Sequence, residues 1–161
     1  MRVALGSDEV TPLTDAVIVD LEQRGHEVVR VGPPAGDDEQ WAAVGRRVGE
    51  LVAGGHCATG VLFCWTGTGA SIAANKVAGV RAALCGDAVT AAGARRWNDA
   101  NVLVISLRAT SAPVAAEMLD AWFSTGPDPG EAANIAALEP GAPEPPTAAG
   151  PARPSTKKET P

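Results

Sequence analysis

The chain has 161 residues, of which 45% are hydrophobic and 20% are charged, and its formal net charge is −6. These values are typical of one soluble globular domain, and the acidic balance disfavours nucleic acid as a partner, because phosphate neutralisation requires clustered Lys and Arg. No apolar run reaches the roughly 18 residues needed to span a bilayer, and the early acidic residues Asp8 and Glu9 disfavour a signal peptide, so we expect no membrane association.

Apolar runs and amphipathic stretches alternate along the chain from its first residue to about residue 138. The predicted strands lie at residues 3–6, 27–31, 60–64, 80–85 and 102–106. The predicted helices lie at residues 12–24, 39–53, 70–76, 88–96 and 112–123. Pro12 suits a first helical position, Gly25 a helix stop and Asp87 an N-cap. The alternation predicts an α/β fold, a Rossmann-like three-layer sandwich with a five-stranded parallel sheet.

The C-terminal segment has a different composition. Residues 139–161 are rich in Pro, Ala, Gly and Thr and contain no Leu, Ile, Val or aromatic residue. Such a segment buries too little apolar surface to offset the entropy lost on ordering. The sequence therefore predicts one domain at residues 1–138 followed by a disordered tail without a function of its own.

The three cysteines, Cys57, Cys64 and Cys85, include no CxxC pair. An odd number without metal-ligand spacing predicts neither a disulfide framework nor a zinc site. We therefore expect a cytoplasmic protein with reduced thiols, and no metal or other cofactor.

Ligands of open parallel sheets bind beyond the carboxyl ends of the strands. One predicted end carries Cys64 and the loop 65–69, with Gly67 and Gly69 just before a helix. Amides at such a place can hold a phosphate, a carboxylate or an enolate oxygen. The loop is not a Walker loop, since no Gly-Lys-Ser/Thr follows, and Ile72 stands where a dinucleotide fingerprint needs its third glycine. A simple tight turn remains an equal alternative.

Cys64 has two interpretations on spacing alone. A thiol beside a helix N-terminus has its thiolate favoured by the helix dipole and can act as a nucleophile or a base. A buried core residue is the commoner fate of a free cysteine, and it is our interpretation of Cys57 and Cys85.

Four stretches resemble the type B ribose-5-phosphate isomerase family, which includes galactose-6-phosphate isomerase subunits and tetrose-phosphate isomerases. They read GSDE, CWTGTGASIAANK, GVRAALC and RRWNDANVLVISLR, and the resemblance extends from residue 3 to about residue 123. It implies a Rossmann-like sheet and a homodimer or tetramer with active sites between subunits. It also implies aldose–ketose isomerisation of a sugar or sugar phosphate through a cis-enediolate.

The resemblance assigns roles to individual residues. A thiolate at Cys64 would move the proton between C1 and C2, amides of residues 66–69 would hold the enediolate oxygens, and Asn98 would reach the neighbouring site. Ala70 cannot replace the glutamate base of another branch, which places this chain in the cysteine branch. The catalytic candidates are Cys64, Thr66 and Asp8. The substrate-binding candidates are Ser7, Glu9, Gly67, Thr68, Gly69, Trp97, Asn98 and Arg108.

The sequence departs from the family pattern at three places. Glu9 replaces a phosphate-binding histidine, and Trp97 replaces a ring-opening histidine and cannot exchange a proton. Residues 126–139, GPDPGEAANIAALE, contain no arginine where the family has several, which leaves Arg108 as the candidate anion clamp. Trp97 either stacks on substrate or fills the space of the histidine.

These departures favour an open-chain substrate, such as a tetrose phosphate, over ordinary ribose 5-phosphate. Weaker phosphate capture also leaves open a different anionic group or none. Arg81, Arg95 and Arg96 are interpreted as surface or interface charges. The alternative function is that of a non-catalytic binding or structural subunit in a hetero-oligomeric isomerase. A nucleotide-binding domain is disfavoured, because no acidic ribose anchor follows a fingerprint after the first strand.

Overall fold

A computed structural model describes residues 1–139. Its strands are β1 (Arg2–Gly6), β2 (Glu27–Val31), β3 (Thr59–Cys64), β4 (Ala82–Cys85) and β5 (Val102–Ser106). Its α-helices are α1 (Pro12–Gln23), α2 (Trp41–Ala53), α3 (Thr68–Ala74), α4 (Ala88–Asn98), α5 (Ala112–Ser124) and α6 (Ala132–Ala136). Short 3₁₀ turns at Pro33–Ala35 and Pro129–Glu131 complete the described structure.

The five strands form one sheet in the order β2-β1-β3-β5-β4, and every neighbouring pair is parallel. The predicted α/β fold with a five-stranded parallel sheet is thereby confirmed. The chain passes from β1 to β2 on one side and then returns to place β3 on the other side of β1. The boundary between β1 and β3 is therefore a topological switch point, where open parallel sheets form a crevice at their carboxyl edge.

Apolar side chains cover both faces of the sheet, as three layers require. On one face Leu5, Phe63 and Ile105 pack with helices α1, α4 and α5. On the other face Leu62 and Val104 pack with helices α2 and α3. Strand β3 is buried along its whole length, which explains its uninterrupted apolar sequence.

Several boundaries differ from the sequence-based expectation. Helix α3 starts at Thr68, two residues early, because Gly67 takes a left-handed φ of 80° and serves as its N-cap. Strand β4 starts at Ala82, since the amide of Arg81 donates to the Asn101 side chain at 2.8 Å. Helix α6 was not predicted. Asp87 is confirmed as the N-cap of α4, with its carboxylate accepting from the Thr90 amide at 2.7 Å.

The segment predicted to be a disordered tail lies outside the described residues, except for Glu139. Within residues 1–139, no helix is both long enough and apolar enough to cross a lipid bilayer.

His26 predicts a pH dependence of stability. Its ring lies 4.5 Å from the ring of Phe123, and burial lowers the pKa of His26, as do the positive charges of the N-terminal amine and Arg24. The unfolded chain then binds a proton more readily than the folded one. The free energy of unfolding should therefore decrease as the pH falls below about 6.5, the ordinary histidine value. Urea unfolding at pH about 7.5 and about 5.5 measures the effect.

The matching variant is His26→Gln, which removes the titrating ring. Its unfolding midpoint should change less between the two pH values than that of the wild-type protein. An unchanged pH dependence in the variant would show that His26 is not the responsible group.

Candidate functional site

The ends of β1 and β3 form the crevice at the switch point. Gly6 pairs with Leu62 in the parallel register, so Ser7 and Asp8 run beside the last residues of β3. On its other side β3 is paired with β5, and Cys64 lies opposite Ser106. The topology therefore brings Asp8 and Cys64, which are far apart in sequence, to the same edge of the sheet.

Cys64 is the last residue of β3, and the residue is 7% exposed. It belongs to the apolar cluster on the α2–α3 face, together with Ala70 at the first turn of α3. The Cys64 carbonyl accepts from the Leu107 amide at 3.0 Å, which anchors the strand end to the segment after β5. The thiol therefore lies at the base of the loop that begins α3, with a small share of its surface open to solvent.

The loop 66–69 presents backbone donors. Within residues 1–139 the amides of residues 66–70 donate to no protein acceptor, and no side chain caps α3. The hydroxyls of Thr66 and Thr68 form a hydrogen bond with each other, with 2.8 Å between their oxygens. A run of unused amides beside a thiol is suited to holding an oxygen that carries negative charge.

Close contacts on two sides fix this loop. A Cβ atom on Gly67 would lie 2.5 Å from Cδ1 of Leu84 on β4, and one on Gly69 would lie 2.9 Å from Cε3 of Trp41. A Cβ on Gly45 in α2 would lie 2.8 Å from the carbonyl oxygen of Ala70. Helices α2 and α3 thus approach each other closely enough to exclude a side chain, and the donors at the start of α3 are held in place.

Trp41 is the first residue of α2, and helical periodicity alone would place it on the buried stripe with Val44, Val48 and Val52. Its ring is 43% exposed and lies against Gly69, at the first turn of α3. Helical periodicity could not show this, because Trp41 is the first residue of α2 and the periodicity carries no information about a neighbouring loop.

The turn after β1 shapes the other side of the crevice. Ser7 is fully buried, and its hydroxyl accepts from the amide of Glu9 at 3.2 Å, so a substrate contact by Ser7 would require this turn to open. Asp8 is half-buried, and its Oδ1 is buried without a hydrogen-bond partner among residues 1–139. Glu9 is exposed. An unsatisfied buried carboxylate oxygen calls for a donor, and a ligand hydroxyl can supply one.

The segment after β5 borders the same edge. The carbonyl of Trp65 accepts from the amide of Arg108 and from the hydroxyl of Ser106, both at 3.0 Å. The Arg108 side chain is exposed, and no carboxylate within residues 1–139 pairs with its guanidinium. A cation is therefore available at this edge of the sheet.

Asn98 and Trp97 lie elsewhere in the chain's fold. Helix α4 starts at the carboxyl end of β4 and runs back towards the start of β5, so its last residue, Asn98, is at the opposite edge from Cys64. Trp97 is 54% exposed, and its ring packs against Gly93. Within one chain, neither residue is brought together with Cys64.

The remaining cysteines differ from Cys64 in their surroundings. Cys85 is 1% exposed, and burial, with a smaller effect of Asp87, raises the pKa of its thiol to about 11. Burial also raises the pKa of Cys57. Both thiols are therefore protonated near neutral pH. Among residues 1–139, no group of three or more His, Cys, Asp or Glu side chains is placed to hold a metal ion.

The fold and the site define a Rossmann-like α/β protein with a thiol, a carboxylate and a run of amides without acceptors in the described part of the chain, all at one switch-point crevice. A family model described as Ribose/Galactose Isomerase matches residues 3–137. The chain therefore belongs to the ribose/galactose isomerase family, whose members are sugar-phosphate isomerases.

Individual relatives agree with this assignment. Ribose-5-phosphate isomerase B of Escherichia coli strain K12 is 37% identical over 123 residues, which are 76% of this chain and 83% of that protein. D-erythrulose-4-phosphate isomerase of Pectobacterium atrosepticum is 33% identical over 125 residues, 76% of this chain and 82% of that protein. The structure of Clostridium thermocellum ribose-5-phosphate isomerase B superposes with a TM-score of 0.80 at 33% identity, covering 86% of this chain and 95% of that one.

Proposed function

We propose that the chain is an aldose–ketose isomerase in which the thiolate of Cys64 is the base. The observation that carries this proposal is the position of Cys64 at the foot of a loop whose amides, residues 66–70, have no protein acceptor within residues 1–139. Asp8 lies at the same edge of the sheet, and its buried Oδ1 has no hydrogen-bond partner within residues 1–139. A base, a set of oxyanion donors and a hydroxyl acceptor are the groups that the reaction needs.

The proposed reaction transfers two protons within the substrate, one from C2 to C1 and one from the C2 oxygen to the C1 oxygen. The sulfur of Cys64 removes the proton from C2 of the open-chain aldose. The electron pair of that C–H bond forms the C1–C2 double bond, and the π pair of the C1 carbonyl moves onto its oxygen to give a cis-enediolate. The amides of the loop 66–69 stabilise the negative charge on the oxygens. A proton passes from the C2 oxygen to the C1 oxygen. The thiol of Cys64 exchanges its proton with solvent and then protonates C1 to give the ketose, or C2 to return the aldose.

Asp8 and Arg108 are assigned to substrate binding around this centre. Asp8 would accept a hydrogen bond from a sugar hydroxyl, which satisfies its buried oxygen. Arg108 would bind the phosphate, since its guanidinium is exposed and free of carboxylates within residues 1–139. Glu9, exposed at the end of the turn, repels a dianion close to it, so the phosphate is expected on the side of Arg108.

We propose a short, open-chain sugar phosphate, such as a tetrose phosphate, as the substrate. Trp97 cannot exchange a proton, so it cannot open a sugar ring. A tetrose phosphate needs no such step, because the hydroxyl that would close a normal furanose carries the phosphate. The relative named D-erythrulose-4-phosphate isomerase shows that a substrate of this size occurs among proteins similar to this chain.

We further propose that a complete site requires two protomers. Asn98 lies at the opposite edge of the sheet from Cys64, so within one chain it cannot contact a substrate bound at that thiol. A homodimer or tetramer that places α4 of one protomer against the crevice of its partner would supply Asn98 and would cover Trp97.

The alternative function is a non-catalytic subunit of a hetero-oligomeric isomerase. It is favoured by Glu9 and Trp97, which replace the two histidines that the family uses. Co-purification with a second, related chain would support it, and turnover by the isolated homo-oligomer would exclude it.

The proposed function is tested by incubating the purified protein with tetrose, pentose and hexose phosphates in deuterated water. We expect deuterium at C2, detected by NMR, with the highest rate for an open-chain tetrose phosphate. Exchange that is fastest with ribose 5-phosphate would contradict the substrate proposal only. If the folded, oligomeric protein introduces deuterium into none of these sugar phosphates, the proposal that it is an isomerase is contradicted.

A further inference from the structure

The carboxylate of Asp99, in the turn that follows α4, accepts hydrogen bonds from two arginines. Asp99 Oδ2 accepts from Nη2 of Arg81 at 2.8 Å, and its Oδ1 accepts from Nη1 of Arg95 at 3.1 Å. The three side chains are only 19%, 22% and 32% exposed, for Arg81, Arg95 and Asp99 respectively. The sequence suggested surface or interface charges for Arg81 and Arg95. Within one chain both are largely withdrawn from solvent and paired with one anion, so they are not exposed surface charges.

The same groups also fix the backbone of this turn. Asp99 has a φ of 42°, a left-handed conformation that residues with a side chain adopt uncommonly, although Asp does so more readily than most. The carbonyl of Asp99 accepts from Nε of Arg81 at 2.8 Å, and the carbonyl of Ala100 accepts from Arg95. Side-chain and backbone contacts of the two arginines thus act together on residues 99 and 100.

The C-terminal segment also makes contacts that hold the end of α4. The amide of Asp128 donates to the carbonyl of Arg96 at 2.7 Å, and Arg81 also pairs with Glu139 at 3.1 Å. Arg81 therefore links the start of β4, the end of α4 and the segment after α6. The last turn of α4 is held from both sides.

We propose that Asp99 is a positioning residue for Asn98. The Asn98 side chain is exposed and makes no hydrogen bond within residues 1–139, so its own contacts do not fix it. Its place depends on the backbone of the turn, which the Asp99 carboxylate holds against two guanidinium groups. Without that anion, Arg81 and Arg95 would be two adjacent, partly buried cations, and their repulsion would move the turn. This inference rests on the proposed role of Asn98 in binding substrate at a partner's site.

The test compares Asp99→Asn with Asp20→Asn. The control is matched because Asp20 also belongs to a cluster of three charges, in which Arg24 pairs with Asp20 at 2.9 Å and with Asp120. That cluster links α1 to α5, where no candidate site residue lies. Steady-state kinetics on the best substrate of the sugar-phosphate panel and urea unfolding are measured for both variants.

We expect Asp99→Asn to lower kcat/KM by about 10- to 100-fold, mainly through KM, because misplacing a binding group by about 1 Å has effects of this size. Asp20→Asn should lose stability while keeping wild-type kcat and KM. Arg81→Lys preserves the positive charge but removes the several N–H donors of the guanidinium, so its kcat/KM should lie between those of Asp99→Asn and the wild-type protein. It is the variant to use if Asp99→Asn does not fold. Wild-type KM in a folded Asp99→Asn or Arg81→Lys protein would overturn the inference.

A binding measurement separates this inference from the proposed reaction. Titration with the same sugar phosphates, followed by ligand-detected NMR, reports binding without turnover. If the wild-type protein binds but does not exchange deuterium, the isomerase proposal fails. Weaker binding by Asp99→Asn would then still support the positioning role, and equal binding would overturn it. If the wild-type protein binds no sugar phosphate, both proposals are overturned.

Discussion

Replacing Cys64 with alanine should reduce deuterium exchange at C2 by about 10³-fold or more, since a positioned acid–base group contributes about 10² to 10⁴ in rate. The proposed mechanism has one base that removes and returns the proton, so its loss stops both half-steps. Cys64 is a small buried residue next to Ala70, and the alanine variant should retain the fold. Exchange is measured by NMR with the best substrate of the panel, and circular dichroism checks the fold.

Cys85→Ala is the matched control for this prediction. Cys85 also ends a parallel strand, but burial raises the pKa of its thiol to about 11, so it carries no thiolate near neutral pH. We expect the Cys85 variant to keep wild-type activity. Equal residual activity in the two variants would show that the thiol of Cys64 is not the base.

The second large effect is expected for Gly67→Ala, which should lower kcat by about 10²-fold, the scale for losing an oxyanion donor. Gly67 has a φ of 80°, and an added Cβ would lie 2.5 Å from Cδ1 of Leu84. The alanine must therefore displace either the Leu84 side chain or the loop, and movement of the loop misaligns the amides of residues 66–69. Steady-state rates and unfolding midpoints are compared with those of the wild-type protein.

Two further variants separate strain from steric contact. Gly25 has a nearly identical φ of 79°, but a Cβ there would meet no atom within 4 Å. Gly25→Ala should therefore lose up to about 1–2 kcal/mol of stability through backbone strain alone and keep full activity. Adding Leu84→Ala to Gly67→Ala removes the atom in the way and should restore part of the rate. Full activity of the single Gly67→Ala variant would contradict the role of the loop.

The sequence was sufficient to predict the fold class, because buried parallel strands and amphipathic helices have different periodicities and alternate regularly here. The order of the strands was not predictable in the same way. The placement of β3 between β1 and β5 depends on long-range packing of the two sheet faces, which no local pattern encodes. The ends of strands were nevertheless informative, since all parallel strands end at one edge, and the structure places Asp8, Cys64 and Arg108 at that edge.

The parts that could not be predicted depend on contacts between distant segments. Nothing in the local sequence shows that Trp41 lies against Gly69 or that Arg81 and Arg95 share Asp99. Arginines usually face solvent, so the interpretation of both as surface or interface charges was the natural one. Ser7 was grouped with the site by its position in the GSDE stretch, but its burial and its bond to the Glu9 amide follow from the tight turn after β1.

The close approach of α2 to α3 at Gly45 has an implication for how variation in this protein should be interpreted. A hydrogen atom is the largest substituent that fits opposite Ala70, although Gly45 bears no reactive group and lies on another helix. A mutational scan would therefore rank Gly45 with the catalytic positions, for a steric reason alone. Intolerance to replacement and participation in chemistry are separate properties here, and only measurements that resolve abundance from turnover would distinguish them.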